Sequence, residues 1–307
     1  MKRRLPRAVL AALVLAGGVD AAGVYRWSDA QGRIHYSDRP GVSPGAGNLE
    51  RLPGQGEPEA VAQLRVEPVD DGVLVWVDNL LAGPIEVMLH AGGADVFASE
   101  PALPARATVP PHSAALLARI GQGNPRLRVV AVPGTPNARP RDVEYAWPLA
   151  SAALRIQQAW GGGYSHRDAE NRYAVDFAAP EGTPVLAARD GVVMQAEGRF
   201  EEAVAGEAQA ALLARANFVR VLHEDGTMAL YAHLQTGGVL VRTGQRVRRG
   251  QLIGRAGNTG LSTAPHLHFA IHANRGMRLH SVPFRMFGPG GILRFDDPAP
   301  AAEAPQD

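Results

Sequence analysis

Alternation of apolar and polar side chains runs through much of this chain and is sharpest near its end. In Pro265-His266-Leu267-His268-Phe269-Ala270-Ile271-His272, residues Leu267, Phe269 and Ile271 fall on one face of an extended strand. His266, His268 and His272 fall on the other. Imidazoles two residues apart on a strand point the same way, with backbones about 6 to 7 Å apart. One can then hold a metal while the other touches a water on it. The same period-two pattern, punctuated by glycines, predicts strands at 183–186, 191–196, 217–223, 227–234 and 251–254, with Asp225-Gly226 as a hairpin turn. Upstream, 73–77, 85–89, 115–120 and 127–132 are spaced as a small antiparallel sandwich. Residues 200–215, rich in Ala and Glu, predict a helix inserted between two strands.

Length and composition fit this picture. A chain of 307 residues suggests two domains or so on length alone. With 46% hydrophobic and 20% charged residues it can bury a sizeable core, and 35 Gly with 24 Pro favour a turn-rich, mainly β fold. The expected organisation is a small β module over 23–42, a Gly/Pro/Ser-rich linker over 43–59, a β-sandwich-like domain over 60–148, a second β domain over 149–287 and a disordered Pro/Ala-rich tail over 288–307.

The first residues are read as a targeting segment. Lys2, Arg3, Arg4 and Arg7 precede an apolar stretch over 8–18, too short to span a bilayer, and Val19-Asp20-Ala21 offers small residues for cleavage. The expectation is a signal peptide over 1–21, cut after Ala21 or Ala22, and a periplasmic or secreted product with no stable membrane span. Loss of four basic and one acidic residue with that segment turns the net charge from +1 to −2, with 27 basic and 29 acidic residues left. That is no basic footprint, so a nucleic-acid partner is not expected. With no cysteine, disulfides, thiolate zinc sites, a cysteine nucleophile and lipoprotein acylation are excluded together. Any metal must be held by His, Asp or Glu. Val24-Tyr25-Arg26-Trp27, the turn Asp29 to Gly32 and Ile34-His35-Tyr36-Ser37-Asp38-Arg39-Pro40 resemble a short module found at the N-termini of many bacterial envelope proteins. The resemblance implies an envelope setting and no chemistry.

Four segments carry candidate chemistry: Gly161 to His166, Tyr173-Ala174-Val175-Asp176-Phe177, Tyr231-Ala232-His233-Leu234 and the His266 strand. An Asp among apolar neighbours in a strand is costly to bury unless it is paired or ligates metal. Two imidazoles and a carboxylate would hold a catalytic zinc with one position left for water. Spacing alone leaves open which histidine ligates and which handles protons. Residues 149–287, with Asn171 to Asp176, Pro180-Glu181-Gly182-Thr183, Tyr231 to Leu234, Gly257-Asn258-Thr259-Gly260 and Pro265 to Phe269 in this order, resemble the lysostaphin-type zinc metallopeptidases.

That resemblance implies an antiparallel β-sheet/barrel-sandwich metallopeptidase domain, a Zn2+ cofactor, and endopeptidase action on peptide cross-links of peptidoglycan. It assigns His166, Asp176 and His268 as metal ligands, and His233 and His266 as the pair that activates water and stabilises the tetrahedral intermediate. One departure stands out. The family's usual first motif has three residues between its histidine and aspartate, but here that position is Arg172, and His166 lies nine intervening residues away. Among softer candidates, Tyr164 could stabilise the transition state, Asn217 matches a recurring asparagine near the cleft, His223 reads as a hairpin-end residue and His272 as a surface residue. Two other readings remain. One is a metal-free relative that binds wall or regulates other hydrolases. The other is a lipoyl-like or phosphotransfer carrier, which export disfavours.

Overall fold

In the computed structural model, the strands at 25–28, 34–37 and 47–51 are described, as are residues 61–295 except 93–96, 123–125, 137, 152–154, 203–211, 213–214, 289 and 294. Contacts divide the chain into two units, 1–57 and 58–307. The signal peptide expected over 1–21 and the end of the tail, from 296 on, lie outside the described residues.

The N-terminal unit holds β1 (Tyr25–Ser28), β2 (Ile34–Ser37) and β3 (Gly47–Arg51), joined antiparallel in the order β2-β1-β3. The hairpin predicted from the Asp29 to Gly32 turn is β1–β2. The third strand falls in the stretch expected to be linker. A lone two-stranded hairpin is marginal in water, and β3 supplies the other edge of β1 with partners.

The second unit begins with β4 (Ala62–Val69), β5 (Gly72–Asn79), β6 (Ile85–Gly92), β7 (Ser99–Glu100), β8 (Ala105–Val109), β9 (Ala114–Ile120) and β10 (Arg126–Pro133). They form two sheets, β4-β5-β9-β7 and β10-β6-β8. Alternate residues Val75 and Val77 of β5 and Ile85, Val87 and Leu89 of β6 enter one buried apolar cluster shared by both sheets. The predicted sandwich is therefore present. Met194, Met228 and Leu279 of the following domain join the same cluster.

The C-terminal part contains β11 (Glu144–Ala146), β12 (Ile156–Gln158), β13 (Val175–Ala178), β14 (Pro184–Leu186), β15 (Gly191–Glu197), β16 (Asn217–Leu222), β17 (Met228–Val239), β18 (Arg246–Val247), β19 (Leu252–Ala256), β20 (His266–Asn274), β21 (Leu279–Ser281), β22 (Arg285–Gly288) and β23 (Gly291–Leu293). The main sheet runs β12-β13-β20-β17-β16-β15-β18. Asp225-Gly226 makes the expected hairpin between β16 and β17, with Gly226 at φ +81° and the His223 N–H donating to Thr227 O at 2.8 Å. Val175, Phe177, Tyr231, Leu267, Phe269 and Ile271 share the buried core. Phe269 stands edge-on to Tyr231 and Phe284, each with centroids 5.2 Å apart.

Two expectations about the ends of this domain need correction. β22 and β23 pair as a hairpin, and Leu293 and Phe295 pack on the core, so order continues past 288. β11 pairs in parallel with β22, which ties 144–146 to the C-terminal end rather than to the sandwich. Of the helix predicted over 200–215, only 200–202, 212 and 215 are described: 200–202 are not helical, Glu202 making an isolated bridge with Thr259, and Leu212 alone is in a helical turn.

Candidate metal and catalytic centre

Sheet register puts the first pieces together. Asp176 on β13 is the direct cross-strand partner of His268 on β20, and His268 is in turn the partner of Ala232 on β17. Paired positions share a face, so a carboxylate and an imidazole meet by backbone geometry alone. His268 Nδ1 lies 2.8 Å from Asp176 Oδ1. His266, one same-face step along β20, has Nε2 at 3.8 Å from that oxygen.

His166 reaches the same point through a series of turns. The Gly161 N–H donates to Arg172 O at 2.8 Å and so closes the neck of the loop, Gly161 adopting φ +63°. Asp168 Oδ1 accepts from the N–H groups of Glu170 and Asn171. His166 is fully buried, and its Nε2 sits 3.3 Å from Asp176 Oδ1. The long spacing that sets His166 apart from the family's usual motif is thus absorbed by a folded-back loop. Ligand atoms of His166, Asp176 and His268 all lie within 4.8 Å of one another.

His233 is presented by a bulge. Asn217 pairs with Leu234 and Phe218 with Ala232, which leaves His233 as an extra residue on β17. It adopts φ +60°, a left-handed conformation that a non-glycine residue holds only when its surroundings enforce it. Those surroundings are the Gly257 to Gly260 turn. The Gly257 N–H donates to His233 O at 3.0 Å, and a Cβ on Gly257 would come within 2.4 Å of Gln235 backbone, so only glycine allows this approach. Thr259 O accepts from His233 Nδ1 at 2.7 Å, while the Thr259 hydroxyl bridges Asn217 N and Leu234 O. The rings of His233 and His266 are 4.6 Å apart.

Carbonyl oxygens only accept, so they fix the tautomers. His166 Nδ1–H donates to Ala159 O, His233 Nδ1–H to Thr259 O and His266 Nδ1–H to Ala264 O. Each Nε2 is left as a lone pair. Burial, with the neighbouring His266 and His268, pushes His233 down to about 3. Burial also pushes His266 down. Burial alone would raise the carboxyl of Asp176, but the imidazoles of His166 and His268 outweigh it and hold that group far below the usual carboxylate range. At neutral pH the site therefore combines one anionic carboxylate with neutral imidazoles at His233 and His266, while at His166 burial, which lowers it, is outweighed by the Asp176 carboxylate, which raises it. The buried His166 Nε2 has no hydrogen-bond partner, which fits a missing cation at that point.

Asp176, His233, His266 and His268 line a cleft of about 390 Å³ that also includes Gln158, Tyr164 and Arg220, while His166 is fully buried outside its lining. Gln158 was not visible as a site residue in the sequence. It donates to Asp176 Oδ2 at 3.2 Å and to Ser165 Oγ at 2.7 Å, and accepts from the Tyr164 N–H. Tyr164 is 65% exposed at the cleft. Asn217 is a buried clamp, bonded through both side-chain atoms to the backbone of Phe200. His223 lies at the hairpin end as expected, but buried, with Nδ1 donating to Asp190 O. His272 is not a surface residue. It is 1% exposed, with Nε2 donating to Glu170 O, because the 161–173 turns cover that face of β20.

A β-sheet cleft with two imidazoles and a carboxylate converging, and two further neutral imidazoles beside them, has the donor set of a metal-dependent hydrolase. Residues 170–279 match Peptidase family M23, with His166 just ahead of the matched stretch. Residues 11–68 match a domain of unknown function, DUF4124. The peptidoglycan DD-endopeptidase ShyA of Vibrio cholerae is 42% identical over 96 residues, 31% of this chain and 19% of that protein. An uncharacterized metalloprotease of Haemophilus influenzae is 40% identical over 100 residues, 33% of this chain and 18% of that protein. The alignments thus span under a fifth of either relative. Among solved structures, the catalytic domain of lysostaphin from Staphylococcus simulans aligns over 46% of this chain and 87% of its own, at 26% identity and a TM-score of 0.30.

Proposed function

We propose that this protein is an exported zinc-dependent endopeptidase that hydrolyses peptide cross-links of peptidoglycan, in the periplasm or outside the cell. The convergence of His166, Asp176 and His268 within 4.8 Å carries this reading, and the named DD-endopeptidase relative supports the substrate class. His166, Asp176 and His268 are the proposed ligands. The donor set suits Zn2+, which would lower the pKa of a water and polarise the scissile carbonyl.

The protein's own groups supply the rest. His233 and His266 are neutral at neutral pH, with Nε2 lone pairs free for protons. One takes the proton of the attacking water at Nε2. That proton, held at Nε2, can hydrogen-bond the developing oxyanion and then pass to the leaving nitrogen, which returns the imidazole to neutral, with the other ring 4.6 Å away. Gln158 holds the carboxylate of Asp176 in orientation. The proposed domain limits are 1–21 for the signal peptide, β4 to β10 for the sandwich and β11 to Phe295 for the peptidase. No helix among the described residues is long and apolar enough to cross a membrane.

The test is metal content together with digestion of purified sacculi. One zinc per chain and release of un-cross-linked muropeptides, read by mass spectrometry, are the expected results. A protein that binds no metal and leaves sacculi intact after zinc is added would instead be a metal-free wall-binding or regulatory relative.

A further inference from the structure

The proposed chemistry leaves one charged group in the cleft wall unused. Arg220 lines the same cleft as Asp176, His233 and His268. It sits on β16 in the cross-strand row Arg220, Leu230, Ala270, next to the row Phe218, Ala232, His268. Same-face rows are separated by about 6 to 7 Å, the length of two extended residues. Nε and Nη1 of Arg220 are buried without a hydrogen-bond partner. The charge of Glu170 is felt there, but the two form no ion pair among the described residues.

An unpaired guanidinium withdrawn from water is costly. Burial lowers Arg220 to about 10, so it remains a cation at neutral pH. Its neighbours compensate only in part: the guanidinium lies 5.9 Å from the centroid of the Phe218 ring. Leu230 and Ala270 beside it in the row are apolar, and the nearby His272 is pushed down by burial and by Arg220 itself, to about 3, and stays neutral. A planar fork of N–H donors lining a cleft, with Glu170 acting on it only at a distance and Nε and Nη1 unbonded, matches a carboxylate from outside.

We infer that Arg220 forms a carboxylate-binding subsite that selects peptide substrates bearing a free carboxylate within about two residues of the scissile bond. The inference rests on reading the cleft as a peptidase site. The carboxylate could be the terminus of a stem peptide or a side chain of one.

Titration calorimetry of the zinc-loaded full chain with cleavage-product stem peptides tests this without requiring turnover. Three peptides are compared: one with all carboxylates free, one amidated at the C-terminus and one amidated at the side-chain carboxylate. The free acid is expected to bind about 10- to 100-fold more tightly than one of the two amides, the scale of a charge-assisted contact. The amide that loses affinity identifies the source. Arg220→Gln is expected to abolish the preference while zinc stoichiometry stays unchanged and the thermal melt is kept or raised. Should that variant fail to fold, Arg220→Lys, which keeps the charge without the fork, is expected to retain only part of the preference. Equal binding of all three peptides to the wild type, no binding of any of them, or a preference that survives Arg220→Gln overturns the inference. Failure to digest sacculi strikes at the proposed function instead, and leaves the binding preference to be judged on its own.

Discussion

The sandwich and the C-terminal sheet bury polar groups on opposite terms. In the sandwich, buried Asn79 gives its amide hydrogens to the carbonyls of Gly83, Val109 and Pro110 and accepts from Leu81 N. Buried Glu86 pairs with Arg106 and accepts from Met277 N, clasping the next domain. Both are satisfied by the protein itself. In the C-terminal domain the buried face of β20 carries His266, His268, His272 and Asn274, and buried atoms of His166, Arg220, His223 and His272 have no partner. Among the described residues every such orphan lies between Trp160 and His272, and none in the sandwich. Buried polar groups are normally partnered. Of these orphans His166 belongs to the proposed ligand cluster and Arg220 lines the cleft, whereas His223 and His272 lie outside both.

The sharpest way to break this contrast is to remove a proposed ligand. Asp176→Ala should abolish stoichiometric zinc and reduce hydrolysis of sacculi to background, because it removes the one anion from a cluster of imidazoles. Activity close to wild type would mean that the orphaned atoms serve something other than a metal. Next in size come His233→Ala and His266→Ala. Each should retain zinc and lose about 10²- to 10⁴-fold in turnover, the range of general acid–base catalysis. Loss of zinc in either variant would make that histidine a ligand and dissolve the proposed division of roles.

These residues were not equally legible in the sequence. Asp176, His266 and His268 lie on regular strands, where a period of two fixes the face and chain order suggests the partners. His233 could be named but its geometry could not. The core residues Ala229, Tyr231 and Leu234 are spaced two and then three apart, and that extra residue is the only trace of the bulge. His166 depends on a loop whose turns are set by local hydrogen bonds, which hydrophobic pattern does not encode. Gln158 was invisible because a glutamine next to a loop carries no pattern. His272 was misjudged because the loop that covers it lies a hundred residues upstream. Four sandwich strands are legible in the sequence, but β4, β7 and β8 are not: β7 has only two residues, and although Ala62, Leu64 and Val66 and Ala105, Ala107 and Val109 alternate with polar residues, much of that apolar row is alanine and carries little hydrophobic signal.

Core truncation in the sandwich should show the other half of the contrast. Ile85 is fully buried in the shared apolar cluster, and Ile85→Ala should lower unfolding free energy by about 2 to 5 kcal/mol, measured by denaturant titration. Zinc content and turnover per folded molecule should not change, since the described lining of the cleft is drawn from 157–268. A loss of turnover in the folded variant would show that the sandwich acts on the cleft through Met194 and Met228, which share its core.

The mildest test concerns acid. His272 is buried with one ring nitrogen bonded to Glu170 O and the other orphaned, and burial, reinforced by the Arg220 cation, pushes it down to about 3. In the unfolded chain its pKa is about 6.5. Between those values the unfolded state binds the proton that the folded state refuses. Stability from the neutral imidazole is therefore fully present above about pH 6.5 and is lost as pH falls toward about 3. At roughly 1.4 kcal/mol per pH unit, the loss by about pH 4.5 is on the order of 2 to 3 kcal/mol. His223, pushed down by burial to about 4, adds a similar slope that remains in a His272 variant. Since His233 and His266 are pushed down too and add to the same limb, His272→Gln should flatten the acid limb of a stability–pH curve by about a third or less and leave the sandwich's response to Ile85→Ala untouched. Parallel curves for the wild type and the variant would mean that water reaches His272, and that this part of the β20 face is not closed after all.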